Sequence, residues 1–283
     1  MTQTWDGAPA PDLPPLTRAD RARLALRVPW AAGTLVVLFG GFLVARAVDR
    51  WLERIALRPV SRLGPRLVQA WAALALPALG LGFEMRGRPM RWPGAYVANH
   101  SSWIDIVALQ RAAAPFLVSK AEVRDWPGIG LIGRAIGTMF IDRRPTASEA
   151  RSQQVELAGR LVRGDRMAIF PEGTSTDGQR VLPFKSPLFA VFFVPEPATP
   201  LAVQPVTITY RAPASLPATF YNWWGGMDFA PHLIALLARS RGGRVQLRFH
   251  DPIPLEEVRD RKALAQAAEL AVRQGFAAAR REG

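Results

Sequence analysis

A layered α/β domain, with a mixed sheet flanked by helices and an N-terminal apolar helical hairpin ahead of it, is the fold class this sequence predicts. Three observations lead there. From residue 95 onward, short β-rich runs alternate with helical stretches, the pattern of strands and helices packed in layers. Ahead of them lie two apolar runs, each long enough for a helix. The 283 residues, 49% hydrophobic, suffice for one large domain with an appendage.

Residues 1 to 16 are Pro-rich and polar without period, and are expected to be disordered. Arg18, Arg21, Arg23 and Arg27 follow. Next comes VPWAAGTLVVLFGGFLVA, a charge-free run of about 18 residues, near the lower limit for a helix that spans a bilayer. The second run, LVQAWAALALPALGLGF, starts at Leu67 and contains Pro77. Between them Arg46, Arg50, Arg54, Arg58, Arg62 and Arg66 recur every fourth residue, but Pro59 and Gly64 interrupt any single helical stripe.

Those arginines constrain topology. If both runs crossed the membrane, the Arg-rich link would lie on the far side, against the preference for basic loops on the cytoplasmic side. A hairpin over residues 17–92 that enters one leaflet and returns satisfies every basic flank, Arg86, Arg88 and Arg91 included. One or two full spans, a soluble core hairpin and a cleaved leader are the other readings of the same run. Residues 93–283 form the second expected domain.

The 36 basic side chains include three lysines, so 33 are arginine, and the formal net charge is +13. Such a charge favours anionic partners, of which an anionic membrane face fits the apolar runs; nucleic acid is not the expected partner. Cysteine is absent, which excludes disulfides, thiolate nucleophiles and Cys-based zinc sites, and three dispersed histidines make a histidine-rich metal site improbable.

Within the second domain AYVAN, FLVS, TMFID, MAIF, LAVQPVTITY and RVQLRFHDPI read as strands. SSWIDIVALQRA, SEARSQQVELAGRLVR and a long stretch from Leu255 to Arg281 read as helices.

The first strand leads into VANHSSWIDIVAL, where four residues separate His100 from Asp105. Positions five apart on a helix diverge by about 140°, so the two could meet only if His100 sits in the strand's exit turn and Asp105 in the first turns of the helix. Ser101 or Ser102 is suited to cap that helix. A carboxylate on an imidazole fixes the tautomer and frees the other ring nitrogen to take a proton. A buried pair that merely tidies a turn is the alternative. No G-x-S-x-G elbow occurs, so the hydroxyl to be activated belongs to a substrate.

Downstream stand GTMFIDRR, with Arg143 and Arg144 at a strand exit, and MAIFPEGTSTDGQRVLPFK. With NHSSWID, GTMFIDR, FPEGTS and QPVTITY in order over residues 95 to 210, the chain resembles the lysophospholipid acyltransferase family, typified by 1-acylglycerol-3-phosphate acyltransferases. The resemblance implies transfer of an acyl chain from acyl-CoA or acyl-carrier protein to a lysolipid hydroxyl. It makes His100 the general base and Asp105 its orienter, and gives Lys120, Arg143, Glu172, Gly173, Thr174 and Ser175 to substrate binding. It implies no metal, no cofactor beyond the acyl donor and no covalent acyl-enzyme. It also places the enzyme on the cytoplasmic face of the bacterial inner membrane. The acceptor expected first is 1-acyl-sn-glycerol-3-phosphate, giving phosphatidic acid.

One departure stands out. Phosphate-binding members read FPEGTR, whereas Ser175 occupies the arginine position here. Losing a charge-assisted bond costs about 1.5–3 kcal/mol, so another cation substitutes or the acceptor differs. Arg180 and Lys185 lie downstream. Together with YNWWGGMDFAPHL (residues 221–233), the variant resembles the subgroup of bacterial lyso-ornithine lipid acyltransferases, the alternative acceptor class. Trp223, Trp224, Met227 and Phe229 fit an acyl tunnel, a lipid interface or plain core packing. His232 and His250 are expected to be structural or surface residues.

Overall fold

The structure, a computed structural model, describes residues 9–54, 63–142, 146–193 and 200–282. The chain forms two compact units. One comprises Met1–Glu84, Ser102–Ala114 and Tyr210–Val245; the other comprises Met85–Ser101, Pro115–Thr209 and Gln246–Gly283.

The elements in order are α1 (Arg18–Arg54), α2 (Leu63–Ala78), β1 (Leu81–Arg86), β2 (Gly94–Ala98), α3 (Ile104–Ala113), β3 (Phe116–Lys120), α4 (Ile129–Ala135), β4 (Met139–Ile141), α5 (Ala147–Val162), β5 (Arg166–Ile169), β6 (Ala202–Arg211), α6 (Phe229–Arg239), β7 (Gly243–Phe249), β8 (Ile253–Pro254) and α7 (Arg261–Arg281). The strands order as β1-β7-β6-β2-β5-β3-β4, with β8 on β6.

In the first unit α1 packs on α2 and α6, and α2 packs on α3. The 37 residues of α1 extend about 55 Å at 1.5 Å per residue, longer than the hydrocarbon core of a bilayer. An 18-residue window of α1 has a mean hydropathy of 1.9 yet is only 11% buried, so this helix is not packed as the core helix of a soluble domain is. Leu26, Val36, Val37, Val44 and Trp51 are exposed.

The basic start of α1 has a structural task. Arg23 Nε donates to the Ala238 carbonyl at 2.7 Å, and Arg27 donates to Leu237 and Ser240 carbonyls at 3.1 and 2.8 Å. These carbonyls end α6, where no helical N–H remains to satisfy them. These two arginines of the basic flank are therefore committed to protein contacts. Residues 9–17 form no helix or strand, and the Pro14 carbonyl accepts from Arg239. Residues 1–8 of the segment expected to be disordered, and Arg58 and Arg62, lie outside the described residues.

The second unit carries the parallel body of the sheet. β2 runs parallel to β5, with Val97 opposite Ile169, and parallel to β6, with Ala98 opposite Val206. β3 runs parallel to β5 and to β4, with Lys120 opposite Ile141. β8 is antiparallel to β6. All five residues of β2 are buried, as expected of a central strand covered on both faces. Val97, Met167, Ile169, Phe189, Leu264 and Val272 belong to one buried cluster formed by the sheet, α7 and the segment after the fifth strand.

Several elements depart from the sequence reading. LGFEMR, inside the stretch expected to be hairpin, is the strand β1; its opening residues simply prolong the apolar run before it. The last helix starts at Arg261 rather than Leu255, because Asp260 Oδ1 accepts Lys262 and Ala263 N–H groups at 2.8 Å each and caps it. Part of the Trp-rich segment is the helix α6, with Pro231 in its first turn, where a missing N–H costs nothing.

Candidate active site

Parallel strands deliver their C-terminal ends to one edge of a sheet, and loops at that edge are where α/β folds place chemistry. In the second unit β2, β3 and β5 bring His100, Lys120 and the segment from Pro171 to that edge.

The turn that holds His100 is pinned by its neighbour. Buried Asn99 donates through Nδ2 to the Ile208 carbonyl and accepts Ile208 N–H through Oδ1, both at 2.8 Å. The side chain thus repeats the pairing of a backbone residue after β2 has ended. His100 is half-buried, and its ring lies on Phe170, with centroids 4.2 Å apart and planes 24° apart. Its carbonyl accepts the Thr176 N–H at 3.0 Å and the Thr176 hydroxyl at 3.4 Å. Two sequence blocks some seventy residues apart therefore converge on one imidazole.

The loop after β5 is compact. Gly173 N–H donates to the Phe170 carbonyl at 3.1 Å, so it is engaged in the turn and is a poor candidate for stabilising an oxyanion. Thr174 donates to the Ser175 carbonyl at 3.3 Å, and Gly178 N–H to the Thr176 hydroxyl at 3.2 Å. Glu172, Thr174, Ser175, Thr176 and Asp177 are all buried. Lys185 N–H returns to the Pro171 carbonyl at 2.9 Å and closes the loop. Half-buried Lys120 ends β3. Arg143 and Arg144 lie outside the described residues.

Asp105 belongs to the other unit. It sits in the first turn of α3, fully buried, where Oδ2 accepts the Ser102 N–H at 2.9 Å and Oδ1 accepts the Tyr210 hydroxyl at 2.6 Å. Ser102 Oγ accepts Ile104 N–H at 3.3 Å, but the cap position of α3 is Trp103, whose side chain makes no capping bond, so neither serine expected to cap this helix occupies that position. Burial, reinforced by the adjacent carboxylate, holds the Tyr210 phenol well above its ordinary range, so it remains a donor. Tyr210 was not among the residues singled out from sequence; nothing in a strand ending in Tyr signals a partner 105 positions away.

The remaining histidines are each held by hydrogen bonds to other parts of the chain. Trp103 Nε1 donates to His232 Nδ1 at 3.0 Å, and an indole N–H can only donate, so Nδ1 carries no proton and Nε2 donates to Phe220 carbonyl at 3.2 Å. Burial lowers this imidazole to about 4. His250 Nε2 lies 2.8 Å from the Thr207 hydroxyl, which itself donates to the Val272 carbonyl. In the Trp-rich segment Trp224 is buried, whereas Trp223, Met227 and Phe229 are half-buried, Phe229 lying edge-on to Trp103.

Comparison with known proteins agrees with this architecture. A family model described as acyltransferase matches residues 85–209. The chain is 43% identical over 273 residues to the lyso-ornithine lipid O-acyltransferase of Rhodobacter capsulatus, covering 96% of each. It is 36% identical to the 1-acyl-sn-glycerol-3-phosphate acyltransferase of Neisseria gonorrhoeae, over 44% of this chain and 49% of that one. The crystal structure of the 1-acyl-sn-glycerophosphate acyltransferase of Thermotoga maritima shares the fold, with a TM-score of 0.66, 21% identity, and coverage of 92% of this chain and 98% of that one. With a relative this similar along nearly its whole length, the chain belongs to the acyltransferase family and is an acyltransferase.

Proposed function

We propose that this enzyme esterifies the free hydroxyl of a lyso-ornithine lipid with an acyl chain taken from acyl-CoA or acyl-carrier protein. The observation that carries the reaction is the seating of the His100 ring on Phe170 and of its carbonyl on Thr176, which fixes a titratable group on the loop of the FPEGTS block. The head group follows from the near full-length likeness to the Rhodobacter capsulatus protein and from Ser175. It reverses the order of acceptors expected from the sequence. Transfer to 1-acyl-sn-glycerol-3-phosphate is the second reading, favoured by the likeness to the Neisseria gonorrhoeae protein over a smaller share of the chain.

In the proposed step His100 takes the proton of the lipid hydroxyl while its oxygen attacks the thioester carbonyl. The tetrahedral adduct collapses with cleavage of the C–S bond, and the imidazolium returns the proton to the departing thiolate. A positioned base contributes roughly 10²–10⁴ in rate. Asp105 is assigned the carboxylate that sets the tautomer, and Lys120, Arg143, Glu172, Gly173, Thr174 and Ser175 the acceptor pocket. No metal or other cofactor takes part. The exposed apolar length of α1 supports membrane association, and use of acyl-CoA or acyl-carrier protein as donor would put the reaction on the cytoplasmic face.

The test uses purified enzyme with labelled acyl-CoA and acyl-carrier protein, lyso-ornithine lipid against lysophosphatidic acid, and the His100→Ala variant. Wild type should prefer the ornithine acceptor, and the variant should retain its fold by circular dichroism with turnover nearly abolished. Near-normal turnover without the imidazole would remove His100 from the chemistry. A preference for lysophosphatidic acid would install the second reading.

A further inference from the structure

We infer that Lys185 is the specificity residue that receives the anionic group of the acceptor's head, a carboxylate or a phosphate; this deepens the proposed acyl transfer to a lysolipid and rests on it. The loop from Pro171 to Gly178 contains no lysine or arginine, and its own charged side chains, Glu172 and Asp177, are acidic and buried. By itself such a loop repels an anion, so recognition of one requires a cation brought from elsewhere.

Lys185 brings one. Its N–H is fixed to the Pro171 carbonyl at 2.9 Å. Its side chain then crosses Gly173: a Cβ on that residue would lie 2.7 Å from Nζ and 3.3 Å from both Cδ and Cε. Gly173 has φ +70°, a conformation that L side chains rarely adopt, and its bare Cα is also the surface over which the lysine lies. Lys185 is nonetheless exposed, so the ammonium caps the loop from its open side. The far end of the same loop, Thr176, holds the His100 carbonyl. Arg180, the other basic residue of the segment that follows this loop, stands 3.9 Å from the Asp177 carboxylate and turns mostly to solvent. A compact ammonium on a flexible stem can follow either a carboxylate or a phosphate, since it needs no bidentate geometry.

The experiment compares wild type, Lys185→Met and Lys185→Arg in mixed micelles, with lyso-ornithine lipid supplying the carboxylate and lysophosphatidic acid the phosphate. Acceptor and donor are varied separately. With the acceptor that wild type uses, methionine should raise the acceptor KM about ten- to hundredfold, leave kcat and the donor KM within about threefold, and leave the melting curve unchanged. Arginine should restore most of the affinity. An unchanged acceptor KM in the methionine variant overturns the inference while acyl transfer stands. So does a rise confined to the donor KM, or a loss of kcat alone that arginine does not repair, the signature of a strap that only holds the loop. Wild-type enzyme inert toward both lipids overturns the proposed reaction and this inference together.

Discussion

The Tyr210 hydroxyl donates to Asp105 Oδ1 at 2.6 Å, while the opposite carboxylate oxygen accepts the Ser102 N–H at 2.9 Å. These two bonds allow the charge of Asp105 to be separated from its shape. In Asp105→Asn the amide oxygen can keep Ser102 N–H, and the amide nitrogen can donate to a Tyr210 hydroxyl that turns to accept. Stability should therefore fall by no more than about 1 kcal/mol. Turnover should fall by roughly 10²–10⁴ if the carboxylate orients and charges the base. Urea titration and single-turnover kinetics on the same preparation check both halves.

Removing the donor instead of the charge should have the opposite balance. Tyr210→Phe leaves a fully buried carboxylate with one bond fewer, a loss of about 1–3 kcal/mol. Chemical denaturation measures it, and an unchanged midpoint would show that water replaces the phenol.

The exit turn of β2 makes a further prediction. Asn99 exchanges two 2.8 Å bonds with Ile208, both buried. Asn99→Asp keeps the shape but places a carboxylate oxygen against the Ile208 carbonyl, so it should destabilise by roughly 2–4 kcal/mol. Because the next residue is His100, activity should fall further than the population of folded enzyme does. Melting curves and kcat measured on the same samples separate the two.

What the sequence discloses and what it conceals divides along chain distance. The strands β2 to β6 are legible because β-branched and aromatic runs bounded by Gly, Pro and Asn are local signals. His100 is legible because a turn between strand and helix is also local. Asn99 and Tyr210 act on groups 109 and 105 positions away, and the position of Lys185 over Gly173 depends on how a loop returns on itself. No periodicity encodes such contacts. The roles of Arg23 and Arg27 are hidden for the same reason: the α6 carbonyls that accept their hydrogen bonds lie some 210 positions on.

His232 gives the pH dependence a sign. Its folded value is lowered from 6.5 to about 4 by burial, partly offset by the Phe220 carbonyl. Above pH 6.5 both folded and unfolded imidazoles are neutral and the contribution is fully present. As pH falls from 6.5 toward 4 the unfolded chain takes up a proton that the folded chain refuses, and stability on the order of 3 kcal/mol is lost. His250, also lowered chiefly by burial, acts in the same direction. His232→Asn keeps an acceptor for Trp103 but cannot titrate, so urea midpoints of the variant between pH 7.5 and 4.5 should slope less than those of wild type. Equal slopes would assign the acid sensitivity to other groups.

The exposed side of α1 supplies the last prediction. Val36 and Val37 are 70% and 69% exposed in the apolar stretch of α1. Asp at the centre of a membrane-inserted helix costs about 2.5–3.5 kcal/mol per residue. The double variant Val36→Asp, Val37→Asp should therefore pass from the vesicle-bound to the free fraction in a flotation assay, whether α1 dips into one leaflet or spans both. Arginine-driven adsorption makes a different forecast, because it is screened within about 10 Å at 0.1 M salt. Binding by wild type that survives 1 M salt, a concentration chosen to screen it on the order of 3 Å, and is lost in the double variant identifies apolar insertion as the dominant attachment. Binding that salt alone removes from wild type would assign it to the basic residues of this strongly cationic chain.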